Sequence, residues 1–166
     1  LTYGNLTGKA YLFNKFIGNP TLQSATAKIS AHINKIKPFR IAEQYLIASE
    51  AYARKGGNEA LSLQYLNDLQ SKRITNFKGS ALTGAKLLSE IKNERVRELI
   101  GEGYRFLDLK RWKDNMVRQT PQDKGVVSSK GLNLTINASD YRFLWPIPQA
   151  EIDANPQIKG QQNEGY

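Results

Sequence analysis

Apolar residues recur at three- and four-residue spacing through "FRIAEQYLIASEAYARKGG", where Ile41, Ala42, Tyr45, Ala48, Ser49 and Tyr52 form one stripe. The spacing predicts a helix that begins after Pro38 and stops at Gly56 and Gly57, since glycine supplies the left-handed backbone that closes a helix. Ile47 and Ala51 lie off the stripe, so this helix is expected to be covered on more than one side. Asn58 stands where a cap belongs for a second helix, "EALSLQYLNDLQSKR". Leu63, Leu66 and Leu69 are its apolar positions, and Lys72 and Arg73 suit its C-terminal end. Two helices joined by Gly-Gly-Asn make a tetratricopeptide-like hairpin, with Ser49, Tyr52, Gly56 and Ala60 near the places that repeat uses.

A third stripe, Leu87, Leu88, Ile91, Arg95, Glu98 and Leu99, includes two charged residues on a core-facing side. Gly101 and Gly103 then break the pattern, and "YRFLDLKRWKD" resumes it through Phe106, Leu109 and Trp112, with Arg105 and Asp108 alongside. Charged side chains are rarely buried unless paired. The expectation is therefore an elbow at Gly-Glu-Gly that lets Arg105 and Asp108 meet Glu98 and Arg95. Beyond it, Met116 to Asp140 reads as an irregular excursion whose strand-like piece is "LNLTI". The end, "YRFLWPIPQAEIDANPQIKGQQNEGY", reads as an extended, surface-packed tail with a brief helical turn at Ala150 to Ala154. The first twenty residues read as a strand or an extended strap.

These elements define a mainly α fold: a helical hairpin, a bent helical element, long irregular loops and an extended C-terminal tail. A chain of 166 residues suits a single domain. Its parts are an extended or irregular lead-in over 1–37, a helical scaffold over 38–114, and a loop with a packed tail over 115–166. The formal charge of +9 raises nucleic-acid binding. Acids and bases interleave from Lys86 to Asp114 and no dense basic run occurs, so a mixed, solvated surface is expected instead. The sequence has no cysteine, which excludes disulfides and thiolate chemistry, and it contains no apolar run of 18 residues. It begins with Leu rather than Met, as a processed product or a piece of a longer protein would.

Glu90, Glu94, Glu98, Glu102 and Asp108 are enough carboxylates for glycoside hydrolysis, but arginines alternate with them. An arginine neighbour lowers a carboxyl pKa where a general acid needs it raised, so ion pairing is the preferred reading and no catalytic residue is assigned. The sole histidine, His32, lacks the companions of a metal site or a triad and is read as a surface or packed residue. No metal or cofactor is expected. Asn5, Asn133 and Asn137 begin Asn-X-Ser/Thr triplets, which matter only in a eukaryotic secretory protein. Trp145 and Tyr141 are the candidates for stacking on sugar rings, whereas Trp112 belongs to the amphipathic segment and is read as core.

Four segments, "FRIAEQYLIASEAYARKGGNEALSLQYLNDLQSKR", "IKNERVRELIGEGYRFLDLKRW", "FLWPIPQAEIDANP" and "QNEGY", resemble in type and order the C-terminal part of SusD/RagB outer-membrane nutrient-binding lipoproteins of Bacteroidetes. The signature positions are Arg40, Glu43 and Glu50 in the first segment and Glu94, Arg95, Glu98, Gly103, Arg105, Asp108, Arg111 and Trp112 in the second. Glu164 stands where the family usually has proline. The resemblance implies a non-catalytic glycan- or nutrient-binding protein held at the cell surface by a lipid anchor outside this chain. It also implies a SusC-like TonB-dependent transporter as partner, and a role for these residues mainly as scaffold. A helical-hairpin adaptor for other proteins is the alternative.

Overall fold

A computed structural model describes residues 2, 3, 6, 7, 15, 37–118 and 134–166. The chain divides into two compact units, residues 13–105 and residues 1–12 with 106–166.

The first unit is helical. Helix α1 (Ile41–Lys55) and helix α2 (Glu59–Ser71) form the expected antiparallel hairpin, and helix α3 (Gly84–Glu98) packs against both. Gly56 and Gly57 adopt φ of 75° and 69°, so the tight connection uses the conformation that glycine alone takes without strain. Asn58 sits at the N-cap position of α2, but its side chain donates to the Gly56 carbonyl (3.3 Å) and makes no cap bond.

The core comprises Ala42, Leu46, Leu66, Leu69, Leu87 and Ile91. On α1 this differs from the predicted stripe: Ile41 is exposed, Tyr45, Ala48 and Tyr52 are half-buried, and Leu46 is wholly buried. The reason is that α1 meets two helices at once, so its innermost line runs through Ala42, Leu46 and Ser49, at one edge of the stripe. At the hairpin's closest approach, the Ser49 hydroxyl donates to the Ser62 carbonyl (2.8 Å) and the Ser62 hydroxyl donates to the Ser49 carbonyl (2.7 Å). Both serines are fully buried, and the exchange satisfies groups that would otherwise be costly to desolvate. Across the hairpin the half-buried Tyr65 stacks on Tyr52 (5.9 Å, 6°) and meets Tyr45 edge-on (5.6 Å, 78°).

Helix α4 (Tyr104–Trp112) follows the predicted elbow, where Gly101 and Gly103 have φ of 77° and 84°. In the second unit Leu109 and Trp112 are buried, as their spacing predicts, and Phe106 stacks on Phe143 (5.6 Å, 10°). Two short antiparallel ladders occur: β1 (Thr2–Tyr3) pairs with β2 (Leu6–Thr7), and β3 (Met116–Val117) pairs with β4 (Thr135–Ile136). The latter contains the end of "LNLTI". The tail forms a 3-10 turn at Tyr141–Phe143, helix α5 (Gln149–Ala154) and a second 3-10 stretch at Pro156–Gln161, separated by extended backbone. His32, Asn5 and Asn133, with most of 1–37 and part of the 115–140 excursion, lie outside the described residues.

Candidate functional site

Two places gather chemistry-bearing residues, and they differ in kind. The first is an ionic centre in the helical unit. Glu98, at the end of α3, is 9% exposed. Its carboxylate accepts from Arg40 Nη1 (2.8 Å), Arg73 Nε (2.8 Å) and Arg73 Nη2 (3.1 Å), while its main-chain carbonyl accepts from Arg40 Nη2 and Lys15 Nζ. Glu102, inside the glycine elbow, takes the rest of the Arg40 fork, Nε at 3.1 Å and Nη2 at 2.9 Å, and also pairs with Lys15. Burial pushes the Glu98 carboxyl up, but the hydrogen bonds from Arg73 and Arg40 outweigh it and hold its pKa below the ordinary value. The Glu98 bonds raise the Arg73 pKa in return.

One helical turn earlier, Gln70 donates to both Glu90 (2.9 Å) and Glu94 (3.0 Å), and Arg97 binds the same two carboxylates. Burial opposes the charge of Arg97, yet its bonds to Glu94 and Glu90 leave its pKa raised. Glu43 accepts from the Tyr104 hydroxyl (3.0 Å), and this bond, with burial, raises the tyrosine pKa. Buried Arg95 places its guanidinium 5.8 Å from the centre of the Tyr104 ring, within cation–π range. Buried Glu50 is paired with Arg54 (2.7 Å) and buried Asp108 with Arg111 (2.8 Å). Arg111 also lies 4.7 Å from the Trp112 ring centre.

Glu98 is paired as the burial argument expects, but with other partners than the elbow reading named. Arg105 is exposed and does not reach Glu98, because Arg40 from the start of α1 and Arg73 from beyond α2 occupy that carboxylate. Both arginines are distant in sequence, and helical spacing carries no signal for such a pairing. Gln70 and Ser62 were missed for the same reason, each being a polar residue on a stripe defined by its leucines.

The second place is in the tail. Trp145 is 78% exposed, yet the backbone under it is firmly held. The Gln162 side chain accepts from Ile147 N (2.8 Å) and donates to Ile147 O (3.0 Å), Asn163 donates to the Trp145 carbonyl, and the Tyr166 hydroxyl donates to the Leu144 carbonyl (3.0 Å). Side chains of the terminal segment thus read successive peptide groups as a neighbouring strand would. Tyr141 meets Tyr166 edge-on (5.0 Å, 83°), and Gly165, at φ 96°, lies so close that an added β-carbon would stand 2.5 Å from Tyr141 Cγ. Asp140 accepts two bonds from the Arg142 guanidinium and one from its main-chain N–H, which hold its pKa down to about 2. Rigid exposed rings beside polar groups are suited to stacking on a sugar face. Among the described residues no cluster of three or more acidic, His or Cys residues is arranged to hold a metal ion.

The mainly helical, tetratricopeptide-like scaffold is shared with solved relatives. The chain belongs to the SusD family, whose model matches residues 3–166. It is 33% identical over 130 residues to Starch-binding protein SusD of Bacteroides thetaiotaomicron, covering 77% of this chain and 21% of that protein. It is 29% identical over 133 residues to SusD-like protein P25 of Formosa agariphila, covering 77% and 24%. A solved SusD superfamily structure from Bacteroides thetaiotaomicron aligns with a TM-score of 0.66 at 37% identity, over 81% of this chain and 28% of the other. One from Bacteroides fragilis aligns at 0.66 and 27% identity, over 80% and 30%. The chain spans about a quarter of the length of the relatives it matches.

Proposed function

We propose that this chain is part of a non-catalytic, glycan-binding nutrient receptor, in which residues 1–166 serve as a single C-terminal domain that is chiefly scaffold. The observation that carries the reading is the 33% identity to a relative named as starch-binding. The ionic centre supports a role without turnover. Each of Glu90, Glu94, Glu98, Glu102 and Asp108 is committed to an arginine, and the shift at Glu98 runs opposite to that of a general acid. The positions Arg40, Glu43, Glu50, Glu94, Arg95, Glu98, Gly103, Arg105, Asp108, Arg111 and Trp112 act as a structural signature, and Trp145 with Tyr141 offers the surface for the sugar.

The receptor works at the cell surface of the outer membrane, anchored by a lipid outside these residues, and delivers its oligosaccharide to a SusC-like TonB-dependent transporter. The test is calorimetry of the full-length protein against a panel of oligosaccharides that includes starch fragments, together with affinity isolation from solubilised outer membranes. The reading predicts saturable binding of one glycan class without its cleavage. It also predicts that Trp145→Ala weakens binding about tenfold, the equivalent of about 1.4 kcal/mol. No binding across the panel and no transporter retained would reject it.

A further inference from the structure

Trp145 opens the stretch Trp-Pro-Ile-Pro, in which Pro146 and Pro148 have no main-chain N–H. Residues 144–148 belong to no helix or strand, so regular hydrogen bonding does not fix the backbone that carries the indole. Three side chains fix it instead. The Gln162 carboxamide accepts from Ile147 N (2.8 Å) and donates to Ile147 O (3.0 Å), and its oxygen also accepts from Asn163 N (2.9 Å), which sets the angle of the carboxamide itself. The Asn163 side chain donates to the Trp145 carbonyl, and the Tyr166 hydroxyl donates to the Leu144 carbonyl (3.0 Å). Tyr166 also meets the Tyr141 ring edge-on (5.0 Å, 83°), so one side chain ties the backbone next to Trp145 to the second exposed ring.

Gln162 and Asn163 are half-buried, whereas the indole whose backbone they hold is 78% exposed. An exposed ring adds little to the stability of the fold, because stabilisation follows the apolar area removed from water. A ring held in place before its ligand arrives does aid binding, since the cost of ordering it at the moment of association is avoided. We infer that Gln162, Asn163 and Tyr166 are positioning residues for glycan binding, which hold the Trp145 indole in one pose through its backbone without touching the sugar. The inference rests on the reading of Trp145 as a sugar-stacking residue and deepens it.

The test uses the full-length protein labelled with 5-fluorotryptophan, with the Trp145 fluorine-19 NMR signal assigned by its loss in Trp145→Phe. Gln162→Ala and Asn163→Ala should shift or broaden that signal and leave the Trp112 signal in place. Calorimetry with maltoheptaose, laminarihexaose, cellohexaose and xylohexaose supplies the second readout. Either variant should weaken binding of the oligosaccharide that the wild type takes by about three- to tenfold, the cost of ordering one side chain. With Trp145→Ala already in place, the same substitutions should have no further effect, an outcome that general damage to the fold would not produce. If Gln162→Ala fails to fold, Asn163→Ala and Tyr166→Phe, which each delete one described side-chain bond, carry the same prediction. An unchanged Trp145 signal, wild-type affinity in the clamp variants while Trp145→Ala is weakened, or an equal further loss in the Trp145→Ala background would each overturn the inference and leave the stacking reading standing. Wild-type affinity in Trp145→Ala, or no binding of any of the four sugars, would remove that reading and the inference with it.

Discussion

Removing the Glu98 carboxylate should cost far more than removing the Arg105 guanidinium, although both belong to the same charged segment. In Glu98→Ala, three side-chain hydrogen bonds disappear, and Arg40 and Arg73 are left facing each other across the vacated space. Breaking one partner of a buried pair costs about 3–5 kcal/mol. Here solvent moderates that figure, because the Arg73 side chain is 45% exposed. About 2–3 kcal/mol remains, which for a chain of this size is a fall of roughly 5–10 °C in Tm. Arg105→Ala removes an exposed side chain and should stay within about 0.5 kcal/mol. Urea denaturation followed by circular dichroism at pH 7 measures both. The same series supplies a pH arm. The Glu98 pKa is lowered in the folded state, so its contribution is complete above the unfolded carboxyl pKa and is lost as pH falls through the folded value. The gap between wild type and Glu98→Ala should therefore hold from neutrality to mild acid and close in stronger acid. Equal losses for the two variants, or a larger loss for Arg105→Ala, would refute the assignment of partners.

Two further outcomes follow from the packing. Ser62→Ala should lose about 1–2 kcal/mol in urea titration, because the Ser49 carbonyl is left buried without its hydroxyl donor and the Ser49 hydroxyl loses a neighbour. Gly165→Ala should lower Tm and diminish the tyrosine near-UV dichroism, since its β-carbon collides with the Tyr141 ring at a backbone φ that favours glycine, whereas Gly160→Ala, which meets no atom within 4 Å, should change neither.

Helical periodicity located the hairpin, the third helix and the elbow because each is a local property: apolar spacing, and glycines where φ turns positive. The same logic explains where it fell short. Leu46 escaped because a stripe drawn for one packing partner misplaces the inner line of a helix that has two. The partners of Glu98 escaped because Arg40 and Arg73 arrive from outside the segment, and residue type alone names a charge that needs a partner without naming the partner. In the tail, the prolines and aromatics signalled an extended, packed chain. The clamp of Gln162, Asn163 and Tyr166 on residues 144–147 depends on side chains that carry no periodic pattern.

The measurement closest to the core of this account is the carbon-13 NMR titration of the Glu98 side-chain carboxyl. Ionisation that persists to a pH below the ordinary carboxylate value is the predicted result. A midpoint at or above 4.5 would mean that Arg40 and Arg73 do not hold the charge, and would return Glu98 to the ranks of possible acid catalysts.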